Sequence, residues 1–418
     1  MKLNPTAIPQ GTRTYLFEEA AHKRFLEQAI HSTLRARGFQ EIVTPPIEYY
    51  DSAVIGLTES ERNRIIRFTE GDSGRLVALR ADITPQIARS AATHLSGRPL
   101  PLRLSYTGSV FRTARTGRNE QYVLHQYGME VVGHAGPEAD IEVILAAASA
   151  LDAALPGGFA ISLGHAGFVA SLLDGLEPRL MPAVRRALEK KDKAALSLLL
   201  DSETDKDAAE KVIALTSLYG GEKVLREAAK LCGNNGAQKA ALDNLTAVYD
   251  ALKKAGLGEN ITIDLGDMRG FGYYTGTTME IFTGSGLPIG SGGRYDNLVK
   301  RFGPDIPAVG FAFDLDRMID GLRRQSSPPA WMASDILLLD AEEDVAQKIR
   351  NAGLLVTRPF GKMDDDTAVS YAKKMNIPNI LRKLNGGCEH TDVESGKRKK
   401  CGFNDFINEL FGKPPKGI

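Results

Sequence analysis

Cysteine occurs three times in 418 residues and tryptophan once, and neither sign of charge is in excess, with 52 Lys and Arg against 52 Asp and Glu. Three cysteines cannot build a disulfide framework, which points to a reducing, cytoplasmic setting. Zero net charge excludes a chain made mainly to coat a polyanion, because nonspecific phosphate binding needs a basic surplus. No apolar run approaches the roughly 18 residues of a membrane span, and the opening MKLNPTAIPQGTR lacks the apolar centre of a signal peptide. The glycine-rich runs at 269–276 and 290–294 fit neither a dinucleotide fingerprint nor a phosphate loop. Neither a Ser-His-Asp set nor an HExxH signature occurs. What remains is ordinary globular composition, 43% apolar and 25% charged, at a length suited to roughly two or three domains.

The first strong period is helical. Phe25, Leu26, Ala29, Ile30, Thr33 and Leu34 share one face, and Gly38 ends the run. A β-rich run follows and stops at Pro45-Pro46, which marks a strand leaving a sheet or an edge strand, since proline gives the ladder no donor. Strands are predicted at 75–79, 103–112, 122–133 and 160–163, and helices at 83–94 and 139–155. That mixture, without tight βαβ spacing, predicts an α+β domain with a mainly antiparallel sheet flanked by helices. The runs 180–200, 206–218 and 238–252 are full of Ala, Leu, Lys and Glu and predict a helical insertion over 168–256. Strand character returns at 261–265, 274–282 and 308–313, so one domain, 1–325, is interrupted by that module. A polar, proline-rich linker at 324–330 leads into 334–418. There strands (335–339, 354–357, 379–381) alternate with helices (343–351, 367–375) as a small α/β domain.

Along 122–133, Val123, His125, Tyr127, Met129 and Val131 share a core-like face, while Leu124, Gln126, Gly128 and Glu130 share the other. An amide and a carboxylate flanking a glycine suggest a shallow polar gap for a small ligand, against the plainer reading of a solvated face. Tyr106, Gly108 and Arg112 repeat the pattern on the preceding strand, and Arg112 offers a fork for phosphate or carboxylate. Asp82 suits a helix N-cap, with Thr84 and Pro85 in the first turn. Arg269 followed by paired tyrosines suits a carboxylate-binding lid. Cys388, His390 and Cys401 supply three zinc-type ligands where structural sites want four; an exposed basic hairpin accounts for them better, and no metal is expected.

Read in order, Ile42-Val-Thr-Pro45, Phe111-Arg112, His125-Gln-Tyr-Gly-Met-Glu130, Arg269-Gly-Phe-Gly-Tyr-Tyr, Gly292-Gly-Arg-Tyr-Asp296 and Gly310-Phe-Ala-Phe-Asp-Leu-Asp-Arg317 resemble histidyl-tRNA synthetase over residues 8–320. All three class II synthetase motifs are among them. Leu79-Arg-Ala-Asp-Ile-Thr-Pro-Gln86 resembles instead the paralogue that serves as regulatory subunit of ATP phosphoribosyltransferase, as does Asp314-Leu-Asp-Arg317. The resemblance implies a class II synthetase-like fold with a shortened anticodon-binding-like C-terminal domain. It implies histidine contacts at Asp82, Thr84, Gln126, Glu130, Arg269, Tyr273 and Tyr274, and vestigial nucleotide-binding arginines at Arg112 and Arg317. Ala114 stands where the synthetase's second motif has a glutamate that helps hold ATP, so no aminoacylation and no cofactor are expected. The implied role is that of a non-catalytic regulatory subunit. It would form a homodimer around Pro45 within a hetero-oligomer, a hetero-octamer, with a short-form ATP phosphoribosyltransferase catalytic subunit. It would activate that glycosyltransferase at the first step of histidine biosynthesis and inhibit it when L-histidine binds. The alternatives are an active histidyl-tRNA synthetase, against which Ala114, the Arg80–Gln86 wording and the reduced C-terminal domain count, and a stand-alone ligase acting on another amino acid or a protein lysine. tRNA and membranes are not expected partners.

Overall fold

The computed structural model describes residues 5–9, 11–57, 59–113, 122–155, 158–200, 205–268, 270, 272–323, 334–402 and 406. Ala114, Arg269 and the linker predicted at 324–330 lie outside the described residues. The chain divides into two compact units, Met1–Tyr15 with His22–Ser326 and Leu16–Ala21 with Ser327–Ile418.

Among its described residues the first unit has twelve strands: β1 (Gln40–Glu41), β2 (Ile47–Tyr49), β3 (Arg67–Thr69), β4 (Leu76–Leu79), β5 (Leu102–Phe111), β6 (Val123–Val132), β7 (Phe159–His165), β8 (Tyr219–Gly220), β9 (Ile261–Asp264), β10 (Thr277–Thr283), β11 (Pro288–Arg294) and β12 (Ala308–Asp314). Nine form one sheet in the order β1-β5-β6-β12-β11-β10-β7-β9-β8. The centre is antiparallel, while β1 with β5 and β7 with β9 run parallel. The strand before Pro45-Pro46, β1, lies at the edge of this sheet and ends before the prolines. The strand predicted at 75–79 does not join this sheet. It is β4, in a separate three-stranded sheet ordered β2-β4-β3.

Alternation along β6 sends Tyr127, Met129 and Val131 into the core with Leu26, Ile30 and Leu34 of helix Phe17–Ala36. Each fully buried side chain of this kind contributes about 1.5–3 kcal/mol. Helix Pro137–Ala154 closes the same core with Val143, Ile144, Ala147, Ala150 and Leu151. Pro137 sits in its first turn, where no intrahelical N–H bond is lost.

The glycine-rich run 290–294 is strand β11, which the sequence pattern did not reveal. A Cβ at Gly292 would stand 2.2 Å from the Gly310 carbonyl oxygen, and one at Gly290 would stand 2.6 Å from the Phe311 ring. Here glycine permits close approach between neighbouring strands. Among the described residues of 166–257 the regular elements are helices apart from β8. The predicted run 180–200 breaks into helices Met181–Glu189 and Lys193–Leu200 at Lys191, whose φ is +52°. Helix Lys223–Cys232, unmarked in the sequence reading, buries Val224, Leu225 and Ala228.

In the second unit, strands β13 (Ile336–Leu339), β14 (Val356–Thr357), β15 (Asn379–Leu384), β16 (Gly387–Asp392) and β17 (Arg398–Cys401) form a sheet ordered β14-β13-β15-β16-β17. All four residues of β13 are buried: Ile336 and Leu338 belong to one cluster, Leu337 and Leu339 to another. A strand covered on both faces reads as an unbroken apolar run for this reason. The basic hairpin is β16–β17. Cys388 packs in the core, His390 Nε2 lies 2.9 Å from Asn379 Oδ1, and its ring centroid lies 4.7 Å from that of Phe406. Among the described residues no helix is long and apolar enough to cross a membrane.

One buried ion pair joins sheet to helix in the first unit. Arg294 Nη2 donates to Asp140 Oδ2 at 2.7 Å and to the Gly136 carbonyl at 3.0 Å, and Nη1 donates to the His134 carbonyl at 3.1 Å. Neither side chain exceeds 5% exposure. Removing Asp140 leaves the buried guanidinium with Asp296 at 3.3 Å and the backbone carbonyls as its remaining partners. Asp140→Ala is therefore expected to cost about 3–5 kcal/mol, measured by urea unfolding; wild-type stability in that variant would refute the role given to the pair.

Candidate functional site

The face of β6 turned from the core forms the floor of a cavity of about 1060 Å³ within the first unit. Glu130 lies on it and is 1% exposed. Thr84 Oγ1 donates to its Oε1 at 3.0 Å, Tyr106 OH to Oε1 at 3.1 Å, and Tyr295 OH to Oε2 at 2.5 Å. No charged group is among these partners. Burial pushes the Glu130 carboxyl up to about 8, the three hydroxyl bonds only partly opposing it. The residue opposite on β12 is Gly310, where a Cβ would stand 1.4 Å from Glu130 Oε2. Only glycine fits there.

The glycines expected to open this floor to a ligand are occupied from within. A Cβ at Gly128 would meet the Tyr106 ring at 2.1 Å, and one at Gly108 would meet Arg80 Nη2 at 2.1 Å. Gly128 thus makes room for the tyrosine that holds Glu130, which corrects the expectation of a ligand gap at that point. The open floor lies alongside, at Gln126, Ala312, Ser291 and Gly292.

Asp82, Thr84, Gln126, Glu130, Tyr273 and Tyr274 all line the cavity, so the structure brings together the six described residues of the expected set. Arg269 lies outside the described residues. Asp82 is not the N-cap expected of it: the helix runs Thr84–Ala92 with Ile83 as its N-cap, and Asp82, one residue earlier, accepts at Oδ1 from Ile83 N at 2.7 Å and Thr84 N at 3.3 Å. Burial raises the Asp82 carboxyl while the Arg112 guanidinium lowers it, and the net direction is upward. Gly270, at φ +63°, makes the turn that presents the tyrosines, and a Cβ there would lie 2.3 Å from the Tyr274 ring. Tyr273 packs edge-on to Tyr274 with centroids 5.0 Å apart, and 5.7 Å from Tyr295. Two polar atoms on the wall are buried and make no hydrogen bond, Gln126 Oε1 and Tyr273 OH. Unsatisfied buried atoms are costly, and these two belong to residues that line the cavity.

The two expected nucleotide-binding arginines differ in placement. Arg112 lines the cavity and donates from Nε to the Ala81 carbonyl at 2.8 Å. Arg317 is half-exposed, pairs with Asp314 at 3.2 Å, donates to the Pro288 carbonyl at 3.2 Å and does not line the cavity. Seven carboxyl groups and three guanidinium groups occur among the described lining residues. Such a surplus suits an ammonium better than a triphosphate.

Tyr106 and Tyr295 are the site residues the sequence reading missed. Tyr106 stood on the right face but was given no role. Tyr295 sat within a quoted motif, and it meets Glu130 from the end of β11, which lies two strands from β6 in the sheet.

The pH dependence follows from Glu130. Its ordinary value is 4.5, so between pH 4.5 and about 8 the folded chain keeps a proton that the unfolded chain has lost. Stability therefore falls as pH rises through that window and levels off above it. Glu130→Gln removes this slope, improving relative to wild type by on the order of 3–5 kcal/mol between pH 5 and 8. Parallel urea-unfolding profiles for the two proteins would show that Glu130 is ionised throughout.

Comparison with known proteins gives the family. The histidyl-tRNA synthetase family model matches residues 11–318. An ATP phosphoribosyltransferase regulatory subunit of Geobacter sulfurreducens is 36% identical over 384 residues, covering 90% of this chain and 87% of the relative. That of Acetivibrio thermocellus is 32% identical over 410 residues, covering 96% and 98%. Among solved structures, an ATP phosphoribosyltransferase regulatory subunit/histidyl-tRNA synthetase from Bacillus halodurans superposes with a TM-score of 0.80 at 26% identity, covering 92% of this chain and all of that one. A histidyl-tRNA synthetase from Nostoc gives 0.79 at 21% identity, covering 97% and 99%, which speaks to fold alone. The first unit thus has the class II synthetase-like fold, and the chain belongs to the histidyl-tRNA synthetase-like family, in its branch of ATP phosphoribosyltransferase regulatory subunits.

Proposed function

We propose that this chain is a non-catalytic regulatory subunit of ATP phosphoribosyltransferase, binding L-histidine in the cavity of the first unit. It activates a short-form catalytic subunit at the first step of histidine biosynthesis and inhibits it when histidine is bound. The observation that carries this reading is the pair of unsatisfied atoms, Gln126 Oε1 and Tyr273 OH, beside a buried carboxyl that can share a proton with an imidazole. Asp82 and Gln126 receive the ammonium, Glu130 with Tyr273 holds the imidazole, Thr84 steadies Glu130, Tyr274 closes the wall, and Arg269 pairs the carboxylate.

Adenylate chemistry finds less support. Ala114 replaces a glutamate of the synthetase's ATP site, Arg317 is engaged by Asp314, and the cavity carries surplus carboxyl groups. The reading places the protein in the cytoplasm as a homodimer within a hetero-oligomer, a hetero-octamer, with 168–256 inserted into a domain 1–325 and 334–418 as a shortened anticodon-binding-like domain. Val43, Ile47, Tyr49, Phe68 and Leu76 are exposed around the Pro45 region and its small sheet, which suits the homodimer contact.

The paired assay is direct. The purified chain should give no histidine-dependent ATP–pyrophosphate exchange, and its addition should raise phosphoribosyl transfer by a short-form catalytic subunit. Robust exchange would make it a synthetase. Tyr273→Phe separates ligand contact from structure: deleting an unsatisfied hydroxyl should leave thermal stability unchanged or higher while weakening L-histidine binding about tenfold or more by calorimetry. Unchanged affinity in that variant would remove Tyr273 from the site.

A further inference from the structure

The helical segment 166–257 supplies a wall of the same cavity. Helix Met181–Glu189 has two faces. Val184, Ala187 and Leu188 are buried in the core of the first unit, whereas Met181, Pro182, Arg185, Arg186 and Glu189 line the cavity. Those five positions recur at helical spacing, so one side of the helix is given to the ligand space.

That helix is also tied to the segment that presents the cavity's tyrosines. At the turn after it, Lys191 Nζ donates to Asp264 Oδ2 at 2.8 Å and lies 4.2 Å from the Tyr219 ring centroid. Asp264 ends β9, where it pairs with Tyr219 of β8, and its Oδ1 accepts from Gly266 N at 3.0 Å. The chain then runs against the helical segment: Leu265 N donates to the Leu218 carbonyl at 3.0 Å, and a Cβ on Gly266 would stand 2.6 Å from the Leu215 carbonyl oxygen. Arg185 Nη2 reaches the Met268 carbonyl at 3.5 Å, and Met268 itself is 1% exposed. From Gly270 the chain turns, its carbonyl accepting from both Tyr273 N and Tyr274 N. Lys191, Leu218, Leu215 and Arg185 of the helical segment thus meet the chain at Asp264, Leu265, Gly266 and Met268.

We propose that the helical module is the element that carries cavity occupancy outward, with Lys191 as the positioning residue that couples helix 181–189 to the 264–274 segment. A ligand seated against Tyr273 and Tyr274 fixes that segment, and the Lys191–Asp264 pair passes the constraint to the helix. The polar face of the helix then closes on the ligand directly. This inference rests on the histidine-binding reading above.

Hydrogen exchange on the full-length wild-type chain, with and without saturating L-histidine, tests it without any substitution: the amides of 181–189 should exchange more slowly when histidine is bound. Lys191→Met should keep calorimetric affinity for L-histidine within about threefold of wild type. In complex with the catalytic subunit, the same variant should need about fivefold or more extra histidine for half-maximal inhibition, or lose inhibition outright. Lys191→Arg should restore it, which a merely disturbed fold would not. Histidine binding with unchanged exchange over 181–189 and wild-type inhibition in Lys191→Met would overturn this inference and leave the binding site standing. Absence of histidine binding to wild type would overturn both.

Discussion

A carboxyl group sealed from water, with three hydroxyls and no cation bonded to it among the described residues, constrains much of the first unit. Ionised, Glu130 would carry a desolvation penalty of several kcal/mol. Thr84, Tyr106 and Tyr295 offset only part of it, so the proton is retained up to about 8. Each holder then imposes a demand of its own. Tyr106 lies over Gly128, which must therefore lack a side chain, and Glu130 Oε2 leaves room for nothing larger than glycine at 310. Tyr295 follows Arg294 in the chain, and the guanidinium of Arg294 is anchored by Asp140 and the carbonyls at the start of helix Pro137–Ala154. A change at Asp140 is thus connected to the ligand cavity through one buried ion pair and one tyrosine.

The cavity is equipped to discriminate. Apolar walls distinguish ligands by only about 1–3 kcal/mol per methylene, whereas a site whose polar atoms lack partners when empty rejects any analogue that leaves them so. Gln126 Oε1 and Tyr273 OH are such atoms. Arg112 on the wall shares the cavity with seven carboxyl groups, and Arg317 is turned to Asp314. The arrangement favours a small zwitterion over a polyphosphate.

Periodicity made the sheet and its faces legible: β5, β6 and β12 lie within a residue or two of the predicted spans, and Gln126 and Glu130 share the cavity side as alternation required. What escaped the sequence has identifiable causes. Strand β11 is masked by glycines that are needed for contact with β12 and the Phe311 ring. The break at Lys191 lies inside a run of good helix formers, where propensity gives no warning of a residue at φ +52°. Gly128 was legible as a close approach, but whether ligand or tyrosine fills the space depends on the β5–β6 register, which opposes Tyr106 to Gly128. Tyr295 could not be placed beside Glu130 without knowing that β11, β12 and β6 are consecutive neighbours.

A cleft without chemistry of its own can influence a neighbour only if its ligand binds two states of the protein unequally. The central strands are poor candidates for the part that differs, because glycines packed against backbone on β11 and β12 leave no room for sliding. The segment between β9 and β10 is the better one. It leaves the sheet, is bonded to the helical segment at Leu218, Lys191 and Arg185, and returns through two tyrosines to the cavity. A ligand that satisfies Tyr273 OH gains that bond only in the arrangement that presents the tyrosine inward. The difference in affinity between arrangements therefore arises at the segment whose other contacts lead away from the site.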